Sequence, residues 1–181
     1  MINAHESSIS FLTLNSEGTL LATSSDKGTL IRIFKAEDGT FLQELRRGRD
    51  KAEIYSISFD PTSSYIASSS DKGTVHVWSL ATAHEKLKES GDESKEANSD
   101  IGKNQTSMLS KVFGGYFNSE WSFAQLRLDD PKSICSFGAN NTIIVISSLG
   151  KYYQASFDPK KKGECSLVQE NSLNIGEKEN V

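Results

Sequence analysis

The segment SSDKGT occurs at residues 24–29 and again at 69–74, and the residues before it recur in the same register 45 positions later. SISFLTLNSEGTLLATSSDKGTLIRIF at 8–34 aligns without a gap, up to DKGT, with EIYSISFDPTSSYIASSSDKGTVHVW at 53–78. Ile9 falls on Ile54, Leu12 on Ile57, Leu14 on Phe59, Leu20 on Tyr65 and Asp26 on Asp71. A period of about 40–45 residues with short alternating strands is the pattern of a propeller blade. The first copy has one extra residue after its Gly-Thr, which predicts a bulge in LIRIF and matches Arg32 with His76.

The alternation of apolar and polar residues predicts strands at 10–14, 20–24, 29–34 and 40–45 for a first blade, joined by Asn-Ser-Glu-Gly, Asp-Lys-Gly and Glu-Asp-Gly turns. A second blade repeats them at 54–59, 65–69 and 74–78, with its fourth strand delayed to WSFAQLRL at 121–128. A third, divergent blade reads at 133–137, 141–147, 151–157 and 164–169. The fold class is therefore all-β, a partial propeller of about three four-stranded blades. Its units are residues 1–48, residues 49–130 with an inserted loop at 81–120, and residues 131–170, followed by a disordered tail at 171–181. Closed propellers use four to eight blades, so three leave an open strand edge and an uncovered apolar face at each end. The expectation is the C-terminal part of a larger propeller, a truncated reading frame, or a subunit completed by another copy.

The insertion has two halves. Residues 81–107 are rich in Glu, Lys, Ser, Asp and Asn without an aromatic residue, the composition of a disordered linker. MLSKVFGGYF at 108–117 differs: on a helix Met108, Leu109, Val112, Phe113, Tyr116 and Phe117 cover one half, opposite Ser110 and Lys111. Gly114 and Gly115 weaken such a helix by roughly 1 kcal/mol each. The tip either folds back over the propeller or lies in a bilayer interface, where apolar side chains are buried among the headgroups.

Composition narrows the function. The 181 residues carry 20 Lys and Arg against 24 Asp and Glu, a formal net charge of −4, which argues against general nucleic-acid binding. Cys135 and Cys165 have neither CxxC nor metal-ligand spacing, as expected of reduced thiols in a cytosolic protein. No run of 18 apolar residues, signal peptide or lipidation motif is visible. Catalytic signatures are also missing from the sequence: it has no P-loop, nucleophile elbow or HExxH, and its 3 histidines lack a plausible nucleophile partner.

Against this acidic background stands ELRRGRD at 44–50. Arginine presents five donors in a rigid fork suited to phosphate and carboxylate. LRRG at 45–48, the flanking GTLIRIF and SSDKGTVHVW, and YFNSEWSFAQLRL resemble the PROPPINs, seven-bladed propellers that bind phosphoinositides in autophagy. KYYQASFDP and GECSLVQE look most like the plant members. The resemblance covers nearly the whole chain, as blades five to seven. It implies binding of phosphatidylinositol 3-phosphate and the 3,5-bisphosphate at two rim sites, with no cofactor. It also implies peripheral attachment to autophagosome-precursor, endosomal or vacuolar membranes, and recruitment of other autophagy proteins through earlier blades.

Carried over residue by residue, the first site would hold Arg46 with His5, Ser25, Lys27, Thr29 and Arg32. The second would hold Arg47 with Ser70, Lys72, Thr74 and His76. Successive strand side chains point to opposite faces, so one Arg-Arg pair can serve two pockets on a solvent-facing rim. The position that often carries histidine in the family is Asp50 here, preceded by Arg49, and an aspartate near phosphate is unfavourable. Asp26 and Asp71 read as turn residues, Trp78 and Trp121 as packing residues, and His84 has no assigned role. The rival reading is an interaction propeller whose arginines hold an acidic or phosphorylated peptide.

Overall fold

Alternation of apolar and polar side chains builds three antiparallel meanders in the computed structural model, which describes residues 1–91, 119–130 and 132–173. The first sheet contains β1 (Ile9–Leu14), β2 (Leu20–Ser25), β3 (Leu30–Lys35) and β4 (Phe41–Arg46) in chain order. The second contains β5 (Ile54–Phe59), β6 (Tyr65–Ser70) and β7 (Thr74–Ser79), then, after α1 (Ala81–Gly91) and β8 (Glu120–Trp121), its fourth strand β9 (Ala124–Arg127). The third contains β10 (Ser133–Phe137), β11 (Thr142–Ser147), β12 (Lys151–Ser156) and, beyond β13 (Gly163–Glu164), the outer strand β14 (Ser166–Ser172). This is a partial propeller of WD-repeat type.

The repeat is visible in side-chain chemistry as well as in register. Asn15 Oδ1 accepts the Leu20 N–H at 2.9 Å, and its repeat partner Asp60 accepts the Tyr65 N–H through Oδ1 at 2.6 Å. Each is a short polar side chain substituting for backbone at the β-turn. Register shifts at Ser10 and Tyr55 also occupy equivalent places in the two copies.

Two cores lie between the sheets. Leu20, Ile31, Ile33 and Leu45 of the first sheet bury against Ile54, Ile57, Ile66 and Trp78 of the second. Val75, Val77 and Leu126 of the second bury against Ile143, Val145 and Tyr153 of the third. The outward faces of the end sheets are uncovered, with Leu12 62% and Leu14 54% exposed at one end and Ile134 57% exposed at the other.

Several expectations need correction. The β2–β3 ladder runs from Leu20↔Lys35 to Ser24↔Ile31 without a shift, so LIRIF has no bulge against β2. The extra residue lengthens the connection between the two strands instead: residues 24–31 lie between the paired Thr23 and Arg32, against 69–75 between the paired Ser68 and His76, while the DKGT turn itself is the same in both copies. The expected strand at 121–128 is split: Glu120–Trp121 pairs in parallel with Leu45–Arg46 of the first sheet, and only β9 joins the second. The polar linker begins as a helix. The Ser79 hydroxyl accepts the Ala81 N–H at 3.2 Å, Ala83 is fully buried, and His84 Nε2 lies 2.7 Å from the Ser63 carbonyl oxygen. Tertiary anchors at only a few positions hold this helix, which an average over composition does not reveal. Finally, β14 continues to Ser172 because its ladder with β12 carries residues 171 and 172, although both are polar.

Gly28 is a backbone requirement. A Cβ there would stand 1.9 Å from the Ala52 carbonyl oxygen, besides needing φ +59. Gly28→Ala is expected to lower stability by at least about 2 kcal/mol. Gly48→Ala, where a Cβ would meet nothing within 4 Å, should change it by no more than about 0.5 kcal/mol. Urea unfolding followed by tryptophan fluorescence distinguishes the two.

Candidate functional site

β4 ends on the two arginines because β3 ends its pairing there: Leu30 faces Arg46, and the Arg47 N–H bonds the Thr29 carbonyl at 2.9 Å. The β2–β3 turn therefore lies beside the Arg-Arg-Gly bend. Arg46 shares strand parity with Glu44, and Arg47 with Leu45, so the two side chains leave β4 on different sides. The Arg46 Nε–H donates to Ser119 Oγ at 2.8 Å. The Arg47 Nε–H donates to the Gly28 carbonyl at 2.9 Å, and its Nη2 donates to the Asp50 carbonyl.

Both arginines are only 6% exposed, so the expected solvent-facing rim is corrected to a recess. The meander, the following loop and the returning chain close over their stems. Burial lowers the Arg47 pKa, opposed by the charges of Asp71 and Asp50. No carboxylate of the described residues lies within ion-pair distance of Arg47. Its guanidinium rests on neutral carbonyl oxygens and keeps its positive charge at neutral pH.

His76 stands on the same side of the second sheet as Ser70 and Thr74, by strand parity and register, and it feels the charge of Arg47. Its ring stacks on Trp78 with centroids 5.5 Å apart, and Nδ1 lies 2.9 Å from Ser122 Oγ. Burial first, and Arg47 second, push its pKa down to about 4, so it is neutral at pH 7. Lys72 is exposed in the turn and contacts Asp71 at 3.3 Å. The residues assigned to the second site thus gather where the first two sheets face each other.

Those assigned to the first site are arranged differently. Arg32 is paired with Glu44 at 2.8 Å and donates to the Ala4 carbonyl at 2.6 Å. His5 Nε2 lies 3.0 Å from Thr23 Oγ1, and burial followed by Arg32 lowers its pKa. Ser25 is buried at the end of β2, Thr29 is half-buried and Lys27 is exposed in the turn. A cavity of about 530 Å³ opens beside Arg32, between Phe41, Lys86, Glu44 and Glu120, and neither Arg46 nor Arg47 lines it.

Glu44, Ser119 and Ser122 are contacts that the sequence reading did not find. The Arg32–Glu44 cross-strand pair could have been inferred once β3 and β4 were placed in register. Ser119 has no such signal, since it meets Arg46 from 73 positions away. The segment expected to enter a bilayer, 108–117, lies outside the described residues.

The paired sheets and the recessed arginines define a partial WD-type propeller with a cationic inter-sheet site. A model of the PROPPIN family matches residues 1–174, and the chain belongs to that family. It is 38% identical over 165 residues to autophagy-related protein 18e of Arabidopsis thaliana, covering 90% of this chain and 41% of the relative. It is 35% identical over 179 residues to WD repeat domain phosphoinositide-interacting protein 2 of Xenopus laevis, covering 96% of this chain and 41% of the relative. The solved structure of Kluyveromyces lactis Hsv2 superimposes with a TM-score of 0.70 at 23% identity, over 95% of this chain and 49% of that one. The chain spans about half the length of the curated relatives it matches.

The depressed His76 pKa gives a pH dependence with a definite sign. Between pH 6.5 and about 4 the unfolded chain binds a proton that folded His76 refuses. Its contribution to stability is therefore full above pH 6.5 and falls as pH drops through that window. The total from this group is on the order of 3 kcal/mol. Urea unfolding from pH 7 to pH 4 should show the loss in the unmodified chain and a shallower one in His76→Gln.

Proposed function

We propose that this chain is a phosphoinositide-binding peripheral membrane adaptor acting in autophagy. Its ligands would be phosphatidylinositol 3-phosphate and the 3,5-bisphosphate. The observation that carries this is the buried Arg47, charged, forked and held on neutral carbonyls with no carboxylate at ion-pair distance among the described residues. A buried cation in that state favours an anion strongly. The relative named for phosphoinositide interaction supports the choice of anion.

In this reading, Arg47 with Ser70, Lys72, Thr74 and His76 takes one headgroup. Neutral His76 adds a hydrogen-bonding ring without opposing charge, and Gly48 leaves open space beside the arginines. Arg46 with His5, Ser25, Lys27, Thr29 and Arg32 takes the other. Glu44 already neutralises Arg32, so this pocket has less charge to offer than its residue list suggests. Two headgroups on one surface act as an avidity pair. The apolar segment with Met108, Leu109, Val112, Phe113, Tyr116 and Phe117 adds insertion into the bilayer. Other autophagy proteins would be recruited through earlier propeller blades, and the role involves neither catalysis nor nucleic acid.

Flotation with phosphatidylcholine vesicles, with and without 3-phosphoinositide, tests the reading. Arg46→Thr with Arg47→Thr should reduce flotation at least about ten-fold. It should also lower stability by about 1–3 kcal/mol, because Arg47 bonds buried carbonyls. Arg47→Lys separates these effects, keeping the charge but losing the fork. Flotation unchanged in the double variant, or capture of an acidic peptide without any response to lipid, contradicts the proposal. Phe113→Ser with Phe117→Ser should weaken vesicle binding and spare binding of soluble inositol 1,3-bisphosphate; equal loss in both assays would make the segment structural.

A further inference from the structure

The chain returns from its insertion through Ser119 to Ser122, and this short stretch touches both arginine-bearing sides of the site. Glu120–Trp121 lies parallel to Leu45–Arg46, which places Ser119 Oγ 2.8 Å from the Arg46 Nε donor. One residue further on, Ser122 Oγ lies 2.9 Å from His76 Nδ1 and accepts from Gln125 Nε2 at 3.0 Å. The Phe123 N–H then bonds the Val77 carbonyl, and the chain enters β9. On its other flank, Glu120 Oε1 accepts the Thr82 hydroxyl of α1 at 2.8 Å, which ties the outgoing root of the insertion to the returning one.

The chemistry of the two serines is complementary. Ser119 offers an oxygen to a guanidinium N–H, fixing the angle of the fork without neutralising its charge. Ser122 accepts from Gln125 Nε2 with one lone pair, and its own proton is available to His76 Nδ1. A neutral imidazole that accepts at Nδ1 carries its proton on Nε2, so that nitrogen becomes a donor. With the Ser122 proton on His76 Nδ1, each serine leaves its partner in the form that suits an anion.

We infer that residues 119–122 form a positioning strap, in which Ser119 aims Arg46, Ser122 sets the tautomer of His76, and Glu120 couples both to the roots of the insertion. This deepens the phosphoinositide reading and rests on it for its function. Neither serine touches the headgroup; each acts through the residue it holds. A change in the insertion is transmitted to both pockets through the strap.

The test uses the full chain and soluble inositol 1,3-bisphosphate as the probe, with no vesicle present. Ser119→Ala should weaken binding about five-fold in an Arg47→Thr background and leave an Arg46→Thr background unchanged. Ser122→Ala should show the reverse pattern, and Ser119→Thr should restore what Ser119→Ala removes. Equal losses in both backgrounds would mean general loosening and overturn the strap. Two nuclear magnetic resonance signatures decide the matter without ligand, even where an arginine variant folds poorly. Ser119→Ala should speed exchange of the Arg46 Nε proton, and Ser122→Ala should move the His76 tautomer balance. If neither signature moves, the inference fails. If both move while the unmodified chain binds no inositol phosphate, the positioning stands and the phosphoinositide reading falls.

Discussion

The site depends on a guanidinium placed where water is scarce and, among the described residues, no carboxylate stands at ion-pair distance. Arg47 is folded into the seam between the first two sheets and held by the carbonyls of Gly28 and Asp50. Neutral acceptors satisfy its N–H groups but leave its charge in place. The arrangement fixes other choices nearby. Gly28 must be glycine, because its carbonyl serves Arg47 while its α-carbon packs against Ala52. His76 is neutral, because burial first and the charge of Arg47 second push its pKa down to about 4.

The two arginine sites differ in how that charge is managed. On the side of Arg46 the structure spends Arg32 on Glu44, and the Ala4 carbonyl takes a further donor of the same guanidinium. On the side of Arg47 the direct contacts are backbone carbonyls, with a neutral imidazole nearby and the charges of Asp71 and Asp50 acting from beyond ion-pair distance. The wall facing Arg47 is the second sheet of this same chain, whereas the outer face of the first sheet is open, with Leu12 and Leu14 exposed. Adjacent residues of one dipeptide thus meet different dielectric surroundings.

Much of the fold was legible because a repeat constrains more than a pattern does. Once DKGT recurs in register, each strand of the first sheet supports the assignment of its partner in the second, and the inner strands fall within a residue of expectation. Features that use few residues were harder to see. Helix α1 is held by Ala83, His84 and Lys86, and its polar composition reads as linker. The extra residue of the first copy reads as a strand bulge, although it lengthens the connection between the two strands and leaves their ladder unshifted. Of the site, the arginine pair and the ligand class proposed for it were carried by a motif resemblance, but the contacts of Ser119 with Arg46 and of Ser122 with His76 join parts of the chain separated by the whole insertion. Burial of the arginines was also hidden, because a strand end beside a glycine looks exposed until the returning segment is laid over it.

The short parallel strands have a mechanical consequence. β8 comes from the connection that completes the second sheet, yet it lies on the outer edge of the first; β13 comes from the third and lies on the edge of the second. The first and second sheets are thus each latched by thread borrowed from further along the chain. Peeling away the third sheet would unclip the second, and freeing the second would release the edge of the first beside Arg46. Damage far along the chain should therefore arrive at the arginines as a sequence of lost latches, with unfolding ordered like a zip that opens from one end.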